Sequence, residues 1–168
     1  LNENEVLKII KPILEDKSIK VIGQNIKFDY IVFYYRGIIL NCMEDTMLMS
    51  YVLDAGKNRH NMDTLSEIHL NHKPISFKDL VGSGKKQINF SEVEIEAAKN
   101  YAAEDADITF RLYKIFKESL KKEKMTSLYE IFEKPLVEIL SMMEISGVKI
   151  DEKFLKELSK KFEKKISL

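Results

Sequence analysis

Cysteine occurs once in the 168 residues, at Cys42, so an internal disulfide is excluded. No apolar run reaches the length of a bilayer span and no signal-peptide pattern opens the chain, so the expectation is a soluble protein in a reducing, cytoplasmic setting with no membrane partner. An excess of one charge is also lacking. Lys and Arg total 27, as do Asp and Glu, and any basic surface must therefore come from local sorting rather than from a global field. Arginine is confined to Arg36, Arg59 and Arg111, so each carries more weight than any one lysine. Internal repeats and low-complexity segments are absent. The chain opens on Leu1 and closes on KKFEKKISL in the middle of a helical pattern, from which the expectation is a piece of something longer.

What is present is an α/β pattern in a chain long enough to bury a core. Residues 3–15 recur apolar at helical spacing through Val6, Ile9, Ile10, Ile13 and Leu14, with Pro12 placed to kink the helix or set its last turn. SIKVIG reads as a short buried strand, Asn25 as the N-cap of a helix over 26–36, and Gly37 as its stop. A second apolar run, IILNC, leads into a helix from about Thr46 to Leu53, and 62–70 forms another. Residues 72–90 read as a long loop with a short helix near Phe77–Val81. Ser91 and Glu94 have capping-box spacing ahead of a helix to about Lys122. Further helices follow over 127–146, ending at Gly147, and after Asp151. The composition shifts near residues 121–124, where the domain boundary is placed: 1–124 and 125–168.

Two aspartates sit where a solvent-facing residue is not expected. Asp29 lies in GQNIKFDY, just past the strand and inside an apolar helix, where an uncompensated carboxylate costs several kcal/mol. Asp105 falls on the apolar stripe of Tyr101, Ile108, Leu112 and Phe116, with the tyrosine one turn before it. Asp107 is set four residues before Arg111 to pair with it, and Glu104 points off the stripe. Helix capping or a buried salt bridge would account for either aspartate alone. Together, on two different helices, they suit a divalent metal with a hydroxyl beside it to orient water. In the loops, Arg59 can grip a phosphate bidentately and Phe77 can stack on a splayed base, although solvation and core stapling are the ordinary duties of such residues.

GQNIKFD and YAAED resemble the second and third motifs of the proofreading 3′→5′ exonuclease domain of bacterial DNA polymerase I, a tyrosine-type member of the DEDD superfamily. The likeness runs on through DTMLMSYVL, RHNMDTLSE, HKPISFKDLVGSGKKQINF and YAAEDADIT, and into EKPLVEILSMMEISGVKID, which looks like the start of the polymerase domain. The resemblance implies a ribonuclease-H-like α/β fold, lacking its first strands here, and removal of mismatched 3′-terminal nucleotides with two Mg²⁺ or Mn²⁺ ions. By matching positions, Asp105 would bind the first metal, Asp29 the second, and Tyr101 would orient the attacking water. Gln24 and Asn25 would touch the terminal nucleotide, and Arg59 and Phe77 would handle phosphate and base of a single-stranded 3′ end.

One departure stands out: the family's first motif, D-x-E on the first strand, occurs nowhere in this chain. A missing upstream segment is the favoured explanation, and loss of the motif in the parent protein is the other. The expectation is weak or absent activity for these residues alone, a proofreading parent with its polymerase domain in cis, and exposed edges through which the piece could dimerise. A non-catalytic scaffold and an RNA-processing exonuclease of the same superfamily are the rival readings.

Overall fold

The computed structural model describes residues 2–84 and 87–167; Lys85 and Lys86, within the expected long loop, lie outside the described residues. Strand β1 (Val21–Gly23) pairs in parallel with β2 (Met43–Asp45), bringing Val21 opposite Met43 and Gly23 opposite Asp45. Parallel neighbours need a crossover, and helix α2 (Ile26–Tyr34) supplies it. Ahead of them, α1 (Glu3–Leu14) starts on the side chain of Asn2 and carries Pro12 in its last turn. The run IILNC does not lead directly into a helix, because β2 intervenes; Ile38 and Leu40 enter the core from the connection before it.

Asp45 organises this unit. Its carboxylate, only 2% exposed, accepts from the backbone N–H groups of Asn25 and Ile26 at 3.0 Å, Met47 at 2.8 Å and Leu48 at 3.4 Å. One side chain therefore caps both α2 and α3 (Thr46–Asp54). Asn25 occupies the N-cap position expected for it but does not cap. Its backbone is left-handed (φ 60°), its side chain makes no cap hydrogen bond, and Asp45 takes over the orphan donors.

Helices α4 (Met62–Leu70) and α5 (Phe77–Val81) fall where the pattern places them. Before the long helix α6 (Ile95–Lys122), a 3₁₀ turn covers Phe90–Glu92. The expected Ser91–Glu94 capping box does not form, because Ser91 is held inside that turn and cannot take the extended conformation of a cap. Instead Glu94 is itself the cap, accepting from Ala97 N–H at 3.0 Å, and Glu92 accepts from Asn89 N–H at 2.7 Å.

The stripe of α6 is buried at Ile108, Leu112, Phe116 and Leu120, against Met49 of α3, Leu65 of α4 and Tyr129. A second cluster joins Ile26, Tyr30, Ile38, Leu40 and Val137. The helix expected over 127–146 is interrupted: α7 (Thr126–Leu128) passes into a π turn at Tyr129–Glu133 before α8 (Lys134–Ser146). Pro135 offers no N–H in the first turn of α8, and the widened turn just before it rolls Tyr129 into the core. Gly147, at φ 68°, stops α8, and Asp151 caps α9 (Glu152–Ile166), which buries no residue.

Candidate active site

A cavity of about 420 Å³ opens at the carboxyl end of β1, the end at which α/β sheets leave room for ligands. Gly23 and Gln24 form one wall, Asp29 enters from α2, and Asp105 enters from α6. Glycine is required at 23, since a Cβ there would lie 2.9 Å from Cγ1 of the buried Ile26. Asp29 stands in the first turn of α2, where the helix dipole favours a negative charge. Although Asp29 is solvent-exposed, desolvation by the surrounding protein pushes its pKa up, opposed by a hydrogen bond from its own backbone and reinforced by the charge of Asp45.

Asp105 is the more constrained of the two carboxylates. Its Oδ1 is fully buried with no hydrogen-bond partner. Burial raises its pKa, the polar hydroxyl of the neighbouring Tyr101 opposes that rise, and the charges of Glu104 and Asp63 add to it. The phenol of Tyr101 is pushed up to about 12, first by burial and then by the adjacent Asp105 charge. Tyr101 therefore keeps its proton at neutral pH. Among the described residues, no lysine or arginine pairs with either aspartate.

An orphaned, buried carboxylate oxygen and a second carboxylate facing one cavity form a donor set that suits a hard divalent cation retaining several waters. The set is partial: among the described residues, no three His, Cys, Asp or Glu side chains converge as metal ligands.

The remaining candidates surround this cavity. Gln24 lines it, but its amide is already engaged, donating to the His60 carbonyl at 2.8 Å and accepting from the Thr46 hydroxyl. Asn25 is exposed beside it. Arg59 is exposed on the loop next to His60, and it does not line the cavity. Phe77, 46% exposed at the start of α5, has its ring 6.1 Å from that of Tyr101. Asp107 pairs with Arg111 at 3.3 Å, as the spacing expects.

Sequence reasoning missed three residues here. Glu104, expected to face solvent, accepts from Ile75 N–H at 2.6 Å and meets His72 Nε2 at 2.8 Å, clamping the loop that leads to Phe77 onto α6. Phe90 joins Phe77 and Tyr101 in one ring cluster. Nothing in the local pattern marks Glu104 or His72, whereas two phenylalanines interrupting a polar loop were a readable sign of Phe90.

The family model described as 3′-5′ exonuclease matches residues 1–121, which include Asp29, Tyr101 and Asp105. The chain belongs to the 3′-5′ exonuclease family. It is 46% identical over 155 residues to DNA polymerase I of Rhizobium leguminosarum and 39% identical over 165 residues to that of Pseudomonas aeruginosa. Each match covers 92% of the chain, which spans 15% and 17% of those two polymerases. Among solved structures it is similar to the POL domain of Pol1 from M. smegmatis in complex with DNA primer-template and dNTP. That match has a TM-score of 0.74 and 18% identity, and covers 99% of this chain and 26% of that one. Brucella melitensis NrnC bound to pGG is similar at a TM-score of 0.65 and 22% identity, over 89% of this chain and 69% of that one. This exonuclease-family fold is ribonuclease-H-like, represented among the described residues by two parallel strands packed with helices. Among those residues no helix is long and apolar enough to cross a membrane.

Proposed function

We propose that this chain carries part of the 3′→5′ exonuclease site of a bacterial, cytoplasmic DNA polymerase I that removes mismatched 3′-terminal nucleotides. The observation that carries the reading is that Asp29 and the orphaned Asp105 carboxylate line one cavity, with Tyr101 one helical turn before the latter on α6. Asp105 and Asp29 would hold Mg²⁺ or Mn²⁺. When bound, such ions activate water and stabilise the leaving 3′-oxygen of a phosphodiester. The chain's own contribution is positional. Tyr101, one turn before Asp105 on α6, carries a hydroxyl able both to donate and to accept, and so able to fix an attacking water. Arg59 and Phe77 stand outside the cavity, where phosphate and base of a frayed single strand would lie, with Gln24 and Asn25 at its wall. Two carboxylates furnish only part of a two-ion set, so these residues by themselves are expected to be weakly active.

The proposed division at residue 124 is supported by the end of the family match at 121 and by the left-handed Lys124 (φ 58°) that separates α6 from α7. The residues after it would begin the polymerase domain.

The test is release of 3′-terminal nucleotides from a mismatched primer by the whole protein carrying this chain, compared with its Asp29→Ala variant in Mg²⁺ and in EDTA. Editing should fall at least a hundredfold with synthesis intact, on the scale of losing a group that stabilises charge in the transition state. Equal editing by both proteins would remove Asp29 from the mechanism. A non-catalytic scaffold, favoured by the partial carboxylate set, predicts no editing by either, and faster trimming of RNA than of DNA would favour the RNA-processing reading.

A further inference from the structure

Three aromatic rings from three separate elements close a triangle beside the cavity. Phe77 at the start of α5 and Phe90 in the 3₁₀ turn are stacked, with centroids 6.0 Å apart and planes 20° from parallel. Phe90 meets Tyr101 of α6 at 6.2 Å and 60°, edge to face, and Phe77 meets the same ring at 6.1 Å and 56°. These are the offset and tilted arrangements that ring quadrupoles favour. Phe90 is itself held in place. The Asn89–Glu92 hydrogen bond fixes its turn, and Ile88 N–H donates to the Val81 carbonyl at 2.9 Å, returning the chain to the end of α5. At 42% exposure Phe90 is not a core residue, so burial does not explain an aromatic there.

The geometry points to Phe90 as a positioning residue: it walls the Tyr101 ring on one side and the Phe77 ring on the other, so that the ring offered to the base and the hydroxyl offered to the water are set relative to each other. This inference rests on the exonuclease reading above. Without Phe90, Tyr101 loses one of its two aromatic walls and the phenol gains freedom to swing away from Asp105. A displacement of about 1 Å at a reacting group costs on the order of a hundredfold in rate, so a modest loosening suffices.

The experiment measures single-turnover release of the 3′-terminal nucleotide from a single-stranded oligonucleotide in Mg²⁺, using the whole protein that carries this chain. Wild type is compared with Phe90→Met, Phe90→Tyr, Tyr101→Phe, the double variant Phe90→Met/Tyr101→Phe, and Asp105→Ala, with thermal melting of each. Phe90→Met keeps the apolar volume and loses the ring. It should slow the maximal rate by about tenfold to a hundredfold, with less than about a threefold change in half-saturating DNA. Phe90→Tyr should restore the rate. In the Tyr101→Phe background, with the hydroxyl already gone, Phe90→Met should cost nothing further. An unchanged rate in Phe90→Met, or the same fractional loss in both backgrounds, overturns the positioning role while leaving the nuclease reading intact. Absence of release by wild type, or release that survives Asp105→Ala, overturns the nuclease reading and this inference with it. If Phe90→Met melts early, failure of Phe90→Tyr to restore the rate at wild-type melting temperature overturns the role equally.

Discussion

At the residue scale, Asp105 and Asp29 are the two carboxylates that line the candidate cavity. Desolvation raises both pKa values above the ordinary 3.8, strongest in consequence at Asp105 because Asp29 is exposed to solvent, so the native state keeps protons that the unfolded chain would release. From just under pH 4 up through each raised native value, stability therefore falls as pH rises. Asparagine at 105 cannot ionise and escapes that loss. In EDTA, the melting temperature of Asp105→Asn minus that of wild type should grow as pH rises from just under 4 to the raised native value of Asp105 and level off above it. A difference that shrinks over the same range would contradict the sign. Both carboxylates were legible in the sequence, because each breaks an apolar helical pattern. Asp45 was not: it sits after a short run that gives no sign of being a strand, and its four N–H partners come from two helices twenty residues apart.

The elements that aim these side chains depend on such single contacts. Asp45→Ala would leave four N–H groups, one buried and three partly buried, without their partner at the starts of α2 and α3, at about 1 kcal/mol for each lost cap and more for the buried donor. A loss of roughly 2–4 kcal/mol is expected in denaturant unfolding, and a change below about 0.5 kcal/mol would refute the double cap. The loop before α5 is secured instead by Glu104. Glu104→Ala should speed hydrogen exchange at the Ile75 amide about tenfold, the equivalent of one charge-assisted hydrogen bond, while amides within α6 exchange as before. Most helix positions followed from periodicity, including α4 and α5 to the residue. The misses have different causes: the Ser91–Glu94 spacing gave way to the adjoining 3₁₀ turn with its own Asn89–Glu92 bond, the Asn25 cap to Asp45 twenty residues along the chain, and the unbroken helix over 127–146 to the π turn just before Pro135.

At the scale of the whole molecule, a buried hub ties the proposed modules together. Glu44 of β2, 1% exposed, accepts from the Tyr129 hydroxyl at 3.1 Å, Lys134 at 3.2 Å and Lys117 at 3.3 Å. Tyr129 in turn accepts from Asp45 N–H at 3.0 Å. The core thus draws on both sides of residue 124, since Tyr129 packs with Met49 and Leu65, and Val137 with Ile26 and Tyr30. Glu44→Ala would take the acceptor from the buried Tyr129 hydroxyl and leave the partly exposed Lys117 and Lys134 with Glu130 alone, and is expected to cost about 1–3 kcal/mol in equilibrium unfolding. Removal of α9, which buries nothing, should change stability by less than about 0.5 kcal/mol. Cutting the chain after residue 124 should instead abolish its cooperative melt.

Gly23 gives a genome reader a marker that no acidic motif provides. A methyl group at that position would press on Ile26, one helical turn ahead of Asp29, and so twist the carboxylate away without altering any residue usually checked for nuclease competence. On the exonuclease reading, a gene with all its acids in place but alanine at this glycine is expected to edit slowly.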